Sequence, residues 1–228
     1  MKFMAIGAHP DDIEIFMFGL LSVLKKKGEK IHCIVATDGA KGGTKLENLA
    51  DVRKKETMLA LKNLSEITFL ELPDGELGES ASHLNVVRQS IEAYKPNLII
   101  THHPNDYHSD HRSLSNIVQK VVGHYIPIMF SDTMMGVNFK PNYYVDITEC
   151  FERKTQSVLK HKSQKPDRFV DLIKIMNSYR AAQCNMPKGS YAEAYCYKNS
   201  FPFTDIRIML PSSIKIRPFD IDKKKGFL

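Results

Sequence analysis

Two short stretches hold the residues able to do chemistry. The first is Ala8-His9-Pro10-Asp11-Asp12, and the second runs from His102 to His111. That second stretch has four of the chain's nine histidines, His102, His103, His108 and His111, interleaved with Asp106 and Asp110. A lone histidine is ordinarily a packing residue, and an isolated Asp-Asp pair ordinarily caps a helix. Four histidines within ten residues, directly after an apolar run, have no such ordinary explanation. Taken together the stretches offer His9, Asp12 and His111 as candidate ligands. Two imidazoles and a carboxylate with open positions suit a catalytic Zn2+, and the same set suits a non-haem Fe2+. Asp11 is left beside a ligand as a spare base.

The elements that must position these stretches follow from periodicity. Phe3 to Ala8 is an apolar run that ends at His9, and Ile13, Phe16, Met17, Leu20, Leu21 and Leu24 then share one helix face. A buried strand, a sharp turn and a helix are expected, with Pro10, Asp11 and Asp12 at the helix start. Further strands are expected over Lys30 to Thr37, Glu66 to Leu70, Asn97 to Thr101, Pro127 to Phe130, Tyr143 to Ile147 and Tyr191 to Tyr197. Helices are expected over Leu46 to Leu64, Leu84 to Tyr94, Leu114 to Val122, Thr148 to Lys160 and Asp167 to Ala182. The glycine-rich segment from Thr37 to Thr44 lacks P-loop spacing, and Pro73 to Gly75 is a turn. Strand and helix alternate with short connections. The class is therefore α/β: a single-domain, Rossmann-like, doubly wound and mostly parallel sheet with helices on both faces. Right-handed crossovers favour the order 3-2-1-4-5, which makes strands 1 and 4 neighbours at the switch point where ligands bind. Both histidine-bearing stretches begin at the C-terminal ends of those two strands.

Composition bounds the partners. The 228 residues are 43% hydrophobic and 25% charged, enough for one core, so residues 1–228 are expected to form one domain with a basic tail over about 212–228. No apolar run approaches the roughly 20 residues that span a bilayer, and no signal peptide is expected, so a cytoplasmic protein is anticipated. Cys33, Cys150, Cys184 and Cys196 lie far apart and read as reduced packing residues. The net charge of +6 sits partly in Lys25 to Lys27 and Lys223 to Lys225, which read as solvated runs. It leans mildly toward an anionic substrate. No aromatic-studded nucleic-acid platform is present, and a homo-oligomer is compatible with this composition.

The two stretches match a known family. The chain resembles the LmbE-like/PIG-L superfamily of zinc-dependent N-acetylglucosaminyl de-N-acetylases, through A-H-P-D-D at Ala8 to Asp12 and H-x-D-H at His108 to His111. Further likeness runs through Thr37 to Gly39, Leu72 to Gly75, Val145 to Thr148, His161 to Gln164 and Tyr191 to Ala194, covering about residues 3 to 197. The resemblance implies that His9, Asp12 and His111 hold zinc and that Asp11 is the general base. It implies that His108, as imidazolium, stabilises an oxyanion and that Asp110 orients His108. The implied reaction frees acetate and an amine from a small N-acetylated sugar. Arg53, Asn105 and Asp106 are candidate substrate contacts, Arg53 being equally an exposed helix residue. Tyr191 and Glu193 suggest a structural role, and His102, His103, His32, His83 and His124 read as packing or surface residues. A non-haem iron oxygenase and a non-catalytic sugar-binding module are the competing readings.

Overall fold

The computed structural model describes residues 1–43, 46–199, 203 and 205–217. Part of the anticipated basic tail, including Lys223 to Lys225, lies outside them. The elements are β1 (Lys2–Gly7), α1 (Asp12–Phe16), α2 (Phe18–Lys26), β2 (Lys30–Thr37), α3 (Leu49–Leu61), β3 (Glu66–Leu72), α4 (Ala81–Tyr94) and β4 (Leu98–Thr101). After them come α5 (Ser109–Val122), β5 (Ile128–Ser131), β6 (Tyr143–Asp146), α6 (Phe151–Val158), α7 (Asp167–Gln183) and β7 (Ala192–Tyr197).

One sheet runs β3-β2-β1-β4-β5-β7-β6. The first five strands are parallel and stand in the expected order. Strands β7 and β6 extend that sheet antiparallel, beyond the order read from the sequence. Successive strand side chains point to opposite faces. Accordingly Phe3 and Ala5 of β1 enter one core with Ile13, Leu20, Leu21 and Tyr195, while Met4 and Ile6 enter the other with Val87, Ile91, Leu114 and Val118. Helices α4 and α5 cover the second face, and α1, α2, α6 and α7 cover the first. Near-continuous apolar strands with helices on both faces are what a buried parallel sheet requires.

The helix expected over Ile13 to Leu24 is instead two helices broken at Met17, whose φ of −131° is not helical. The cause lies far along the chain. Buried Glu193 on β7 accepts the Gly19 N–H at 2.8 Å and the Leu20 N–H at 2.7 Å, satisfying amides at the start of α2. A side chain on Gly19 would meet Ile147 Cγ2 at 2.4 Å, so only glycine lets α2 approach so closely. Glu193 also binds Lys154 Nζ at 2.7 Å and the Tyr195 hydroxyl at 2.6 Å. The kink lets α1 be short and aimed separately, with Asp12 in its first turn.

Candidate active site

β1 and β4 are adjacent and parallel, with Ile6 paired to Thr101, so the chain leaves the sheet at neighbouring points. Beyond β1, Thr37 anchors the turn: its backbone N–H and hydroxyl both donate to Ala8 O at 2.8 Å. His9 and Pro10 then lead into Asp11, whose φ of 117° lies where a side-chain-bearing residue is strained. That conformation sends the two adjacent carboxylates to different partners. Asp12 Oδ2 accepts the His9 N–H at 2.7 Å and lies 3.3 Å from His9 Nδ1. Asp12 Oδ1 lies 3.2 Å from His111 Nε2. Asp11 turns instead to Arg53, whose NH2 donates to Asp11 Oδ2 at 3.2 Å and to Pro10 O at 2.6 Å.

Beyond β4, helix α5 starts at Ser109, earlier than its apolar period predicts, because the His108 ring caps it: Nδ1 accepts the Asp110 N–H at 3.3 Å. Asp110 and His111 therefore sit in the first turn of a helix. Asp106 Oδ2 pairs with His111 Nδ1 at 3.1 Å, and its Oδ1 accepts the His108 N–H at 2.9 Å. Asp110 Oδ2 pairs with His9 Nε2 at 3.1 Å and accepts the Gly75 N–H at 2.7 Å. Asp74 Oδ1 stands 3.3 Å from the same His9 nitrogen.

The three candidate ligands come together, all lining one cleft of about 200 Å³ with Asp11, Arg53, Lys41, Asp74, Tyr107, His108 and an apolar wall that includes Phe16, Met134 and Phe169. Two larger surface grooves, of about 630 Å³ each, have no histidine among their described lining residues. Several expected roles change. Asp110 does not orient His108; its carboxylate holds His9, and only its backbone reaches the His108 ring. Asp106, expected as a substrate contact, is buried against His111. Asn105 is exposed, outside the cleft lining, with its N–H on His103 Nδ1 at 3.2 Å. Arg53 is buried and lines the cleft, but its guanidinium is committed to Asp11, Pro10 O and Gly39 O. Asp74 and His102 are the residues that local reading missed. Only the match at Leu72 to Gly75 hinted at Asp74.

Electrostatics separate the two aspartates. Burial raises the Asp11 carboxyl to about 6, a shift limited by Arg53. Burial also acts on Asp12, yet His111 and His102 outweigh it and hold that carboxyl well below the usual range. One carboxylate stays ionised while its neighbour can take a proton near neutral pH, so the two adjacent aspartates are electrostatically distinct. Burial disfavours charge on His9, but Asp110, Asp12 and Asp74 lift it to about 12. Against the same burial, Asp12 and Asp106 lift His111 to about 9. Burial and the adjacent His111 and His9 lower His108, so its ring is neutral, a departure from the implied imidazolium. With Nδ1 accepting, the ring proton sits on Nε2, and His108 remains a donor.

The donor set fits a divalent cation. Asp11, Asp12, Asp74, Asp106 and Asp110 are all buried here with Arg53 as the one permanent cation among the cleft's buried residues. Buried charge is ordinarily paired or bound to metal. Ligand atoms of His9, His108 and His111 lie within 4.8 Å of one another, as do those of Asp12, His102 and His111. The far nitrogens of His9 and His111 rest on carboxylates, the arrangement that orients metal-binding imidazoles.

A family model described as GlcNAc-PI de-N-acetylase, PIG-L, matches residues 4–122. The chain belongs to the PIG-L family. Diacetylchitobiose deacetylase of Thermococcus kodakarensis is 26% identical to this PIG-L protein over 192 residues, covering 73% of this chain and 71% of that one. A solved N,N'-diacetylchitobiose deacetylase from Pyrococcus horikoshii superposes with a TM-score of 0.75 at 24% identity, covering 86% of this chain and 83% of that one. GalB of Pseudomonas putida, a 4-carboxy-2-hydroxymuconate hydratase, superposes with a TM-score of 0.73 at 16% identity, covering 86% and 96%. The PIG-L fold thus carries more than one chemistry, and the residues in the cleft must decide. Among the described residues, no helix is long and apolar enough to cross a membrane.

Proposed function

We propose that this PIG-L protein is a metal-dependent hydrolase that removes the acetyl group from a small N-acetylated sugar. The observation that carries it is the divergence of Asp11 and Asp12: one carboxylate faces the ligand histidines, and the other, raised to about 6, lines the same cleft uncommitted to them. His9, Asp12 and His111 would hold Zn2+ or Fe2+. When bound, such an ion supplies Lewis acidity toward a water and an amide carbonyl. Asp11 accepts the proton that water loses as it attacks, and returns it to the departing amine. Arg53 fixes Asp11 in its strained backbone conformation. His108, a neutral donor, binds the oxygen on which negative charge develops, and Asp106 and Asp110 hold His111 and His9 in their working orientations. Ile15, Phe16, Met134 and Phe169 form the wall against which a sugar ring and its acetyl methyl pack.

Lys41, exposed in the glycine-rich loop at the cleft edge and paired with Glu76 at 2.9 Å, could exchange that partner for an anionic group of the substrate. The four free cysteines fit a reducing, cytoplasmic setting. Family membership and the uncommitted base favour hydrolysis over an iron oxygenase or a sugar-binding module. The test is acetate release from N,N'-diacetylchitobiose and a panel of N-acetylglucosaminides, with zinc, with iron and after chelation. Release that ceases on chelation and returns with metal is expected. H9A, D12A and H111A should each lose metal and turnover together. No acetate release from any member of the panel by the metal-loaded protein would overturn the reading.

A further inference from the structure

His102 looks like packing in the sequence, yet it touches two candidate ligands at once. It follows β4 directly and is 0% exposed. Its ring lies flat on that of His111, with centroids 3.7 Å apart and planes 13° from parallel, and Phe16 stands edge-on at 6.1 Å. Its Nε2 accepts the Ala8 N–H at 3.0 Å, across the β1–β4 pair, and lies 3.1 Å from Asp12 Oδ2. Of Asp12, His102 and His111, only Asp12 and His111 line the cleft. His102 therefore stands behind the ligand set and is not a member of it.

We propose that His102 is a positioning residue of the metal centre, fixing the plane of His111 and the orientation of the Asp12 carboxylate from the side away from the cleft. The proposal rests on the reading of His9, Asp12 and His111 as a metal site. His111 is held at Nδ1 by Asp106 and on its flat face by His102, which leaves Nε2 directed at Asp12 Oδ1. Asp12 Oδ2 is kept on the inner side by the His9 N–H and His102 Nε2, which leaves Oδ1 toward His111. The imidazole thus ties cation binding to the end of β1.

The experiment compares zinc affinity, by competition with a chromophoric chelator, and thermal unfolding of the metal-free chain. Phenylalanine keeps the stacked ring but leaves Ala8 N–H without an acceptor and Asp12 without its inner neighbour. Glutamine places an amide near the position of Nε2, and asparagine reaches only that of Nδ1. H102F and H102N are expected to bind zinc about 10–100-fold more weakly, the usual effect of removing a group that orients a ligand, with H102Q restoring most of the affinity. Wild-type affinity in H102F would overturn the role of His102. If H102F does not fold, H102Q and H102N decide it, and equal affinity in that pair overturns it. A wild-type chain that takes up no zinc overturns the metal-site reading and this role with it.

Discussion

Glu193 offers the most direct test of how distant parts of the chain build the site. It is 2% exposed and has four donors: two amides at the start of α2, the Lys154 ammonium and the Tyr195 hydroxyl. Lys154 is 0% exposed, and among the described residues Glu193 is its ion-pair partner, at 2.7 Å. E193Q preserves shape but removes the negative charge and exchanges one acceptor oxygen for a donor amide. Leaving a buried charge without its counter-charge costs about 3–5 kcal/mol. A mismatched buried donor adds about 1–3 kcal/mol. These terms overlap, so a loss of about 4 kcal/mol is expected, a large part of the roughly 5–15 kcal/mol that keeps a domain folded. In a chain of this size each kcal/mol lowers Tm by about 2–4 °C, which gives a drop of roughly 8–16 °C. Denaturant unfolding at constant m-value and differential scanning calorimetry measure it. Adding K154M removes the stranded ammonium, and the double variant should recover about half of the loss. A loss below about 1 kcal/mol in E193Q, or no recovery in the double variant, would refute the account of the Met17 kink as a Glu193-capped break.

D11N should keep fold and metal while turnover falls by about 10²–10⁴-fold, because an amide cannot take the proton from water; steady-state acetate release checks this, and near-wild-type turnover would reduce Asp11 to a turn residue. D106N should weaken zinc affinity about 10–100-fold with little change in the fold, since His111 Nδ1 loses its carboxylate; chelator competition reads it, and unaltered affinity would show that the bond does not orient the ring. His161 pairs with Glu14 at 2.9 Å; burial opposes its charge, yet Glu14, Asp11 and Glu56 raise its pKa above the ordinary 6.5. Its contribution to stability is therefore complete below about pH 6.5 and disappears as pH climbs through the raised folded value. The stability gap between wild type and H161Q should narrow in urea titrations as the pH rises above about 6.5. A gap that widens would reverse the assignment of charge to that pair.

The sequence by itself determined the architecture and the ligand candidates, because both are written in local spacing. Alternation of apolar runs with helical periods sets the strands and helices. The handedness of the crossovers then places β1 beside β4, bringing Ala8 to Asp12 against His102 to His111. Tertiary structure alone decided what each side chain in those stretches touches. Asp110 sits two residues from His108, and neighbours at that spacing do not face each other once a helix begins there. With His108 as the cap and Asp110 in the first turn, the carboxylate swings to His9, 101 residues away. Asp106, five residues before His111, meets it for the complementary reason: the turn folds back on the helix start. Asp74 reaches His9 from the loop after β3, and His102 reaches Ala8 across the sheet, contacts with no local period to announce them. The break at Met17 likewise answers to a carboxylate 173 and 174 residues downstream of the amides it caps. Periodicity reports which face a residue takes; the partner on that face is fixed only when the sheet assembles.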